Sequence, residues 1–100
     1  MDKFQKSTQE VADKVADYLG FKIPRVMDYD FQADYGRRSF MIQVSPHGPD
    51  EQSREVRVYR GGYDSDEDLH DILTSEPLIR VFGHDEEGLG GAVVGFIISL

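Results

Sequence analysis

The 100-residue sequence contains no cysteine and no tryptophan, and only four prolines. Without cysteine, neither a disulfide nor a thiolate metal site can hold the chain together. No stretch approaches the ~18 apolar residues of a membrane span, and no apolar run follows the first residues as it would in a secretory signal. We therefore expect a cytoplasmic protein without membrane contact, stabilised by packing alone.

Basic residues are nearly absent from the second part of the chain. Residues 64–100 contain nine acids and a single base, Arg80, whereas residues 1–63 contain ten acids and ten bases. The formal net charge of −8 therefore arises in the later stretch. A negative field repels phosphates, so we expect no direct binding to nucleic acid and a protein partner with a basic surface.

The apolar content is sufficient for a folded core. Hydrophobic residues make up 39% of the chain and aromatic residues 11%. A chain of this length and composition is typical of one globular domain and not of a disordered acidic tail. We expect residues 1–100 to form a single domain.

The first half of the sequence predicts a helix followed by three strands. Apolar residues recur every three or four positions over Lys3–Leu19, which predicts an amphipathic helix ending at Gly20. Alternation over Val26–Gln32 predicts a strand with Met27, Tyr29 and Phe31 facing inward. After a turn at Ala33–Arg37, Phe40, Ile42 and Val44 would face inward with Met41 opposite, pairing Phe31 with Phe40 and Tyr29 with Ile42. Arg54–Arg60 completes a meander, with Val56 and Val58 inward and Tyr59 outward.

The second half predicts a short helix and two more strands. Asp64 and Ser65 would cap a helix whose apolar stripe is Leu69, Ile72 and Leu73, and Pro77 would end it. We expect Leu78–Phe82 to be a strand, Gly83–Gly91 a loop, and Ala92–Ile98 a strand that is apolar on both faces and so covered on both sides or paired with another chain. The predicted fold is α+β in the order α-β-β-β-α-β-β, a twisted, mainly antiparallel sheet packed by two helices.

Two acidic bursts are the predicted partner-binding surface. Both lie outside the apolar segments, and we expect them to gather into one exposed negative face once the chain folds. The residues are Asp64, Asp66, Glu67, Asp68, Asp71, Asp85, Glu86 and Glu87.

The same acids offer weak metal-binding patterns. The alternating carboxylates from Asp64 onward resemble a calcium loop, but the sixth position, which requires glycine, is Leu69, and the twelfth, which requires glutamate, is Ser75. His84 and the acids after it, with His70 and Asp71, have suitable ligand types without a metal-site spacing. We predict that the acids stabilise helix N-termini and that there is no metal site and no cofactor.

Two further patterns are better explained without nucleic acid or catalysis. Arg37, Arg38, Arg54, Arg57 and Arg60, with Tyr59, have the composition of a single-strand binder, but we expect nearby acids such as Glu55 to pair with them across the sheet. No serine lies in a Gly-x-Ser-x-Gly context, and the clustered carboxylates are expected to be exposed, where nothing raises a pKa. We therefore predict no catalytic residue and no enzyme activity.

Three functional hypotheses remain. The first is a protein-binding module, an inhibitor or modulator, whose carboxylates dock on a basic surface of a target, in one form replacing nucleic-acid phosphates as phage anti-restriction and anti-CRISPR proteins can. The second is an acidic chaperone or adaptor, because the element order, with a Leu19-Gly20 step after the first helix, resembles that of small type III secretion chaperones. That resemblance lacks a closing C-terminal helix and implies a homodimer with apolar grooves. The third is a divalent-metal-binding protein.

Overall fold

The computed structural model describes residues 2–20, 23, 26–45, 50, 52–63 and 69–100. The chain forms α1 (Lys3–Leu19), β1 (Asp30–Tyr35), β2 (Arg38–Ser45), β3 (Arg54–Arg60), α2 (Leu69–Thr74), β4 (Ile79–Gly83) and α3 (Glu86–Ser99). The strands make one antiparallel sheet in the order β1-β2-β3-β4. Helices α1 and α3 pack on one face of the sheet and α2 packs on the other. The predicted α+β class is confirmed.

Helix α1 has the predicted bounds. Asp2 caps its first turn: its carboxylate accepts from the backbone N–H groups of Phe4 and Gln5, while the Gln5 side chain accepts from the Asp2 N–H, which completes a capping box. The helix ends at Gly20, whose φ of 80° lies in the left-handed region that favours glycine.

Strand β1 begins later than the sequence predicts. Met27 and Tyr29, expected to face the core, are exposed, whereas Phe31 is fully buried as predicted. The reason is a tight turn before the strand, in which the Met27 N–H donates to the Asp30 carbonyl at 2.8 Å. The predicted inward face is therefore confirmed for Phe31 and wrong for Met27 and Tyr29, which precede the strand.

The register of the first hairpin also differs. The connection between β1 and β2 is two residues, 36 and 37, with Gly36 at φ 64°, which suits a tight hairpin turn. Phe31 is opposite Ile42, and Ala33 is opposite Phe40. The predicted pairing of Phe31 with Phe40 was therefore wrong by two positions, because β1 extends through most of the predicted turn.

The second face of the sheet is partly covered by α2. Met41 and Tyr59, which alternation assigns to the solvent side, are buried there with Ile72 of α2. Strand alternation identifies two faces but does not show that a helix covers the second. The predicted N-cap of α2, Asp64–Ser65, lies outside the described residues.

The C-terminal segment is a helix, not a loop followed by a strand. Helix α3 spans Glu86–Ser99, so it replaces all of the predicted strand over Ala92–Ile98 and the later part of the predicted loop over Gly83–Gly91. Apolar residues at both odd and even positions were interpreted as a strand with two apolar faces, although a buried helix gives the same pattern. Packing of Leu89, Val93 and Ile97 into the main core offsets the poor helix propensity of its four glycines.

Helix α3 crosses α1 at a glycine. A Cβ added to Gly90 would lie 2.7 Å from Cβ of Lys14 and 3.6 Å from the Val11 carbonyl oxygen and the Val15 nitrogen. The Lys14 atom is attached to the helix backbone and cannot swing away. The two helices therefore approach each other closely at Gly90, where a side chain would not fit.

This crossing predicts opposite effects for two glycine substitutions in one helix. Gly90→Ala should lower the free energy of unfolding by about 1–3 kcal/mol, because the added methyl group forces α3 away from α1. Gly95→Ala should be neutral or raise stability by up to about 1 kcal/mol, because no atom lies within 4 Å of its added Cβ and alanine favours helix. Urea unfolding followed by circular dichroism measures both. Equal effects of the two substitutions would contradict the crossing.

Candidate functional site

A shallow groove of about 420 Å³ runs between α1 and the N-terminal end of α3. Six carboxylates and one lysine line it, and we call it the acidic groove. Its lining residues are Glu10, Asp13, Lys14, Asp17, Asp85, Glu86 and Glu87.

Half of these carboxylates come from α1, which the sequence prediction did not include. Glu10, Asp13 and Asp17 are spaced three and four residues apart and so lie along one face of the helix. That spacing is visible in the sequence. Its importance is not, because those acids join the second burst only when residues 86–99 form a helix against α1.

Asp85 caps α3. Its carboxylate Oδ1 accepts from the Gly88 backbone N–H at 2.6 Å, and its extended backbone is typical of an N-cap. One function of this residue is therefore to stabilise the helix that carries the rest of the burst.

Glu86 forms a brace between three elements. Its Oε1 accepts from the Ser7 hydroxyl of α1 at 2.9 Å and lies 3.2 Å from Arg54 Nε of β3. That Nε is buried without an aligned hydrogen bond, so the contact with Glu86 is an ion pair of charges and not a directed bond. The Arg54 guanidinium also lies 6.0 Å from the centroid of the Phe4 ring. Much of the charge of Glu86 is therefore balanced inside the fold.

Glu87 is exposed, as is Asp85 of the same burst. Its Oε1 lies 3.5 Å from the Tyr18 hydroxyl of α1, and it takes part in no ion pair among the described residues. It faces solvent together with Asp13 and Asp17, which are also exposed. Among the exposed carboxylates of the acidic groove, these three are the ones that do not cap a helix.

The first burst is not joined to this groove by the described residues. Asp71 is exposed on α2, on the opposite face of the sheet from α1 and α3. Asp64, Asp66, Glu67 and Asp68 lie outside the described residues, so their expected position stays a prediction. Across the described ranges, no three His, Asp or Glu side chains are grouped so that they could hold a metal ion.

A polar cluster joins the turn before β3 to the residue after β4. The Asp50 carboxylate accepts from the backbone N–H groups of Gln52 and Ser53 at 2.9 Å, and its Oδ2 lies 3.0 Å from His84 Nε2. The Ser53 hydroxyl lies 3.0 Å from the same ring nitrogen. A Ser-His-Asp relay needs the serine and the aspartate on different ring nitrogens, so this arrangement does not match one.

Two arginines of the basic stretch, Arg54 and Arg57, form ion pairs with acids from different elements. Arg57 pairs with Glu55, which is buried, and this contact holds the pKa of Arg57 above its usual value. Arg54 pairs with Glu86. The predicted pairing across the sheet is therefore wrong in its geometry: Glu55 and Arg57 both lie on β3, and the partner of Arg54 comes from α3. Among the described residues, Arg37, Arg38 and Arg60 form no ion pair with an acid.

Comparisons with known proteins give no relative. No family model, no curated protein and no solved structure matches the chain. In the described part of the chain, no helix combines the length and hydrophobicity needed to cross a bilayer.

The contact between Asp50 and His84 leads us to predict how the pKa of Asp50 responds to loss of the histidine. Hydrogen bonding to His84 first, and then to the Gln52 and Ser53 N–H groups, lowers the pKa of Asp50 from 3.8 to about 2. Because the folded-state pKa is depressed, the contact stabilises the fold above about pH 3.8 and this contribution is lost as the pH falls through about 2. His84→Ala should raise the pKa of Asp50 toward 3.8, as measured by NMR titration of the Asp50 carboxyl carbon. An unchanged pKa in the variant would show that His84 is not the main cause.

Proposed function

We propose that the protein is a protein-binding module, an inhibitor or modulator, that docks its acidic groove on a basic surface of a target protein. The observation that carries this proposal is the convergence of α1 and α3 acids on one groove with a single lysine. In a chain of net charge −8, a basic partner gains both attraction on approach and a defined place to bind.

The exposed acids of the groove are the proposed contacts. Asp13, Asp17 and Glu87 are accessible, and a basic side chain entering between the helices would meet carboxylates from both of them. If the target surface normally holds nucleic acid, these carboxylates would take the place of phosphates, as in the anti-restriction form of the hypothesis. The first acidic burst, from Asp64 to Asp71, is a separate proposed surface, because Asp71 lies on the face of the sheet opposite the acidic groove.

Charge-matched variants test this proposal. Asp17→Asn with Glu87→Gln should greatly reduce capture of the target from a host lysate at about 0.1 M salt, and capture by the wild type should fall steeply at about 0.5 M. The control, Asp28→Asn with Glu76→Gln, removes the same charge from exposed positions that do not line the groove. An equal loss of capture in both double variants would show that net charge alone causes the effect. No loss of capture in either would refute the proposal.

A second candidate is the chaperone or adaptor, which we propose on a different observation. Helix α3 follows the last strand, and a helix at this place is what the predicted element order lacks in its resemblance to type III secretion chaperones. It is apolar on nearly all sides, yet its residue Ile98 is 52% exposed and Leu100, which follows the helix, is 44% exposed. An apolar helix of this kind is usually covered, which favours a second copy or a client segment as its cover.

This candidate predicts association that resists salt. The protein should be a homodimer by light scattering at both about 0.1 M and about 0.5 M salt, because apolar burial is not screened. Ile98→Asp should give a monomer, whereas Ser99→Asp, which adds the same charge at a neighbouring exposed position, should not. A wild-type monomer under both conditions would remove the candidate.

A further inference from the structure

Three arginines gather at one end of the sheet. Arg37 lies in the turn that precedes β2, Arg38 is the first residue of β2, and Arg60 is the last residue of β3. Arg60 is opposite Phe40, two residues from Arg38, so Arg38 and Arg60 are diagonal neighbours on the same face of adjacent strands. All three line a shallow cavity of about 400 Å³, which we call the arginine cavity.

None of these three arginines takes part in an ion pair among the described residues. Arg38 donates one hydrogen bond, to the Leu100 carbonyl oxygen at 3.2 Å, and its remaining donors are not used in that contact. The chain has 19 acids and 11 bases, so carboxylates are plentiful, yet the other arginines of the basic stretch are the ones that acquire them. Among the described residues, these three arginines are therefore without an ion-pair partner.

The other residues that line the arginine cavity are glycines or polar residues, of which Gln32 and Asp34 are already hydrogen-bonded. Asp34 is its one carboxylate, and its Oδ1 accepts from Gln32 Nε2 at 2.8 Å. Gln32 is held in turn by its Oε1, which accepts from the Tyr63 N–H at 2.7 Å. Gly61 and Gly62 complete the lining, and the space beside them is filled by the Ile72 and Gln32 side chains.

We propose that the arginine cavity binds a small phosphorylated ligand through its phosphate group. Guanidinium groups present paired N–H donors that match phosphate oxygens, and a dianion also removes the mutual repulsion of three neighbouring positive charges. The cavity is open, so the remainder of the ligand stays in solvent. The net charge of −8 opposes a long polyanion such as nucleic acid, which favours a small ligand.

The test is an NMR titration of the ¹⁵N-labelled protein with phenyl phosphate and, separately, inorganic phosphate, at constant ionic strength maintained with sodium chloride. The expected result is saturable shifts centred on the amides of Ser39, Gly61 and Gly62. Arg60→Ala should weaken binding about tenfold, as loss of a charge-assisted contact does, and Arg60→Lys should weaken it less, because the charge is kept and the fork is lost. Tighter binding of phenyl phosphate indicates an ester ligand, and equal binding indicates free phosphate.

A matched control distinguishes binding at the arginine cavity from non-specific attraction of phosphate to positive charge. Arg80 is exposed on β4 and does not line the cavity, so Arg80→Ala should leave the affinity unchanged. Shifts that chloride alone reproduces, or an equal loss in Arg80→Ala and Arg60→Ala, would overturn the proposal. The arginine cavity and the acidic groove share no lining residue. The double variant Asp17→Asn with Glu87→Gln should therefore not alter phosphate binding, whatever its effect on partner capture.

Discussion

The approach of α3 to α1 at Gly90 is the contact on which the rest of the structure depends. It lets a helix that is apolar on nearly all sides lie beside α1 and close the main core over the sheet. The same approach brings Glu86 within reach of Ser7 and Arg54, so that one carboxylate joins two helices and a strand. Without a residue lacking Cβ at this position, neither the core closure nor the brace could form at these distances.

Tertiary contacts decide which charged residues of this protein are paired and which remain unpaired on the surface. Arg54 and Arg57 form ion pairs with acids. Acids of α1 and α3 face each other across the acidic groove. Three other arginines line a cavity at the end of the sheet. Like charges placed together cost energy in isolation, and a bound partner of opposite charge relieves that cost. We therefore regard the two surfaces as the places where binding of opposite kinds is to be sought.

Local signals in the sequence predicted local structure well. Three- to four-residue periodicity ending at Gly20 predicted the bounds of α1 correctly, and alternation bounded by loops predicted those of β3. The errors arose where tertiary contacts decide: residues 92–98 have a pattern common to a buried strand and a buried helix, and burial of Met41 depends on α2. The acidic groove could be only half predicted, because Asp13 and Asp17 meet Glu87 only when α3 is a helix.

The position of α3 can be measured directly by NMR. The account predicts helical Cα chemical shifts throughout Glu86–Ser99 and a nuclear Overhauser effect between the Gly90 Hα and Lys14 Hβ protons, because the two helices are in contact there. Strand-like shifts over residues 92–98, with no effect between these two residues, would contradict the account, since neither the helix crossing nor the acidic groove would then exist.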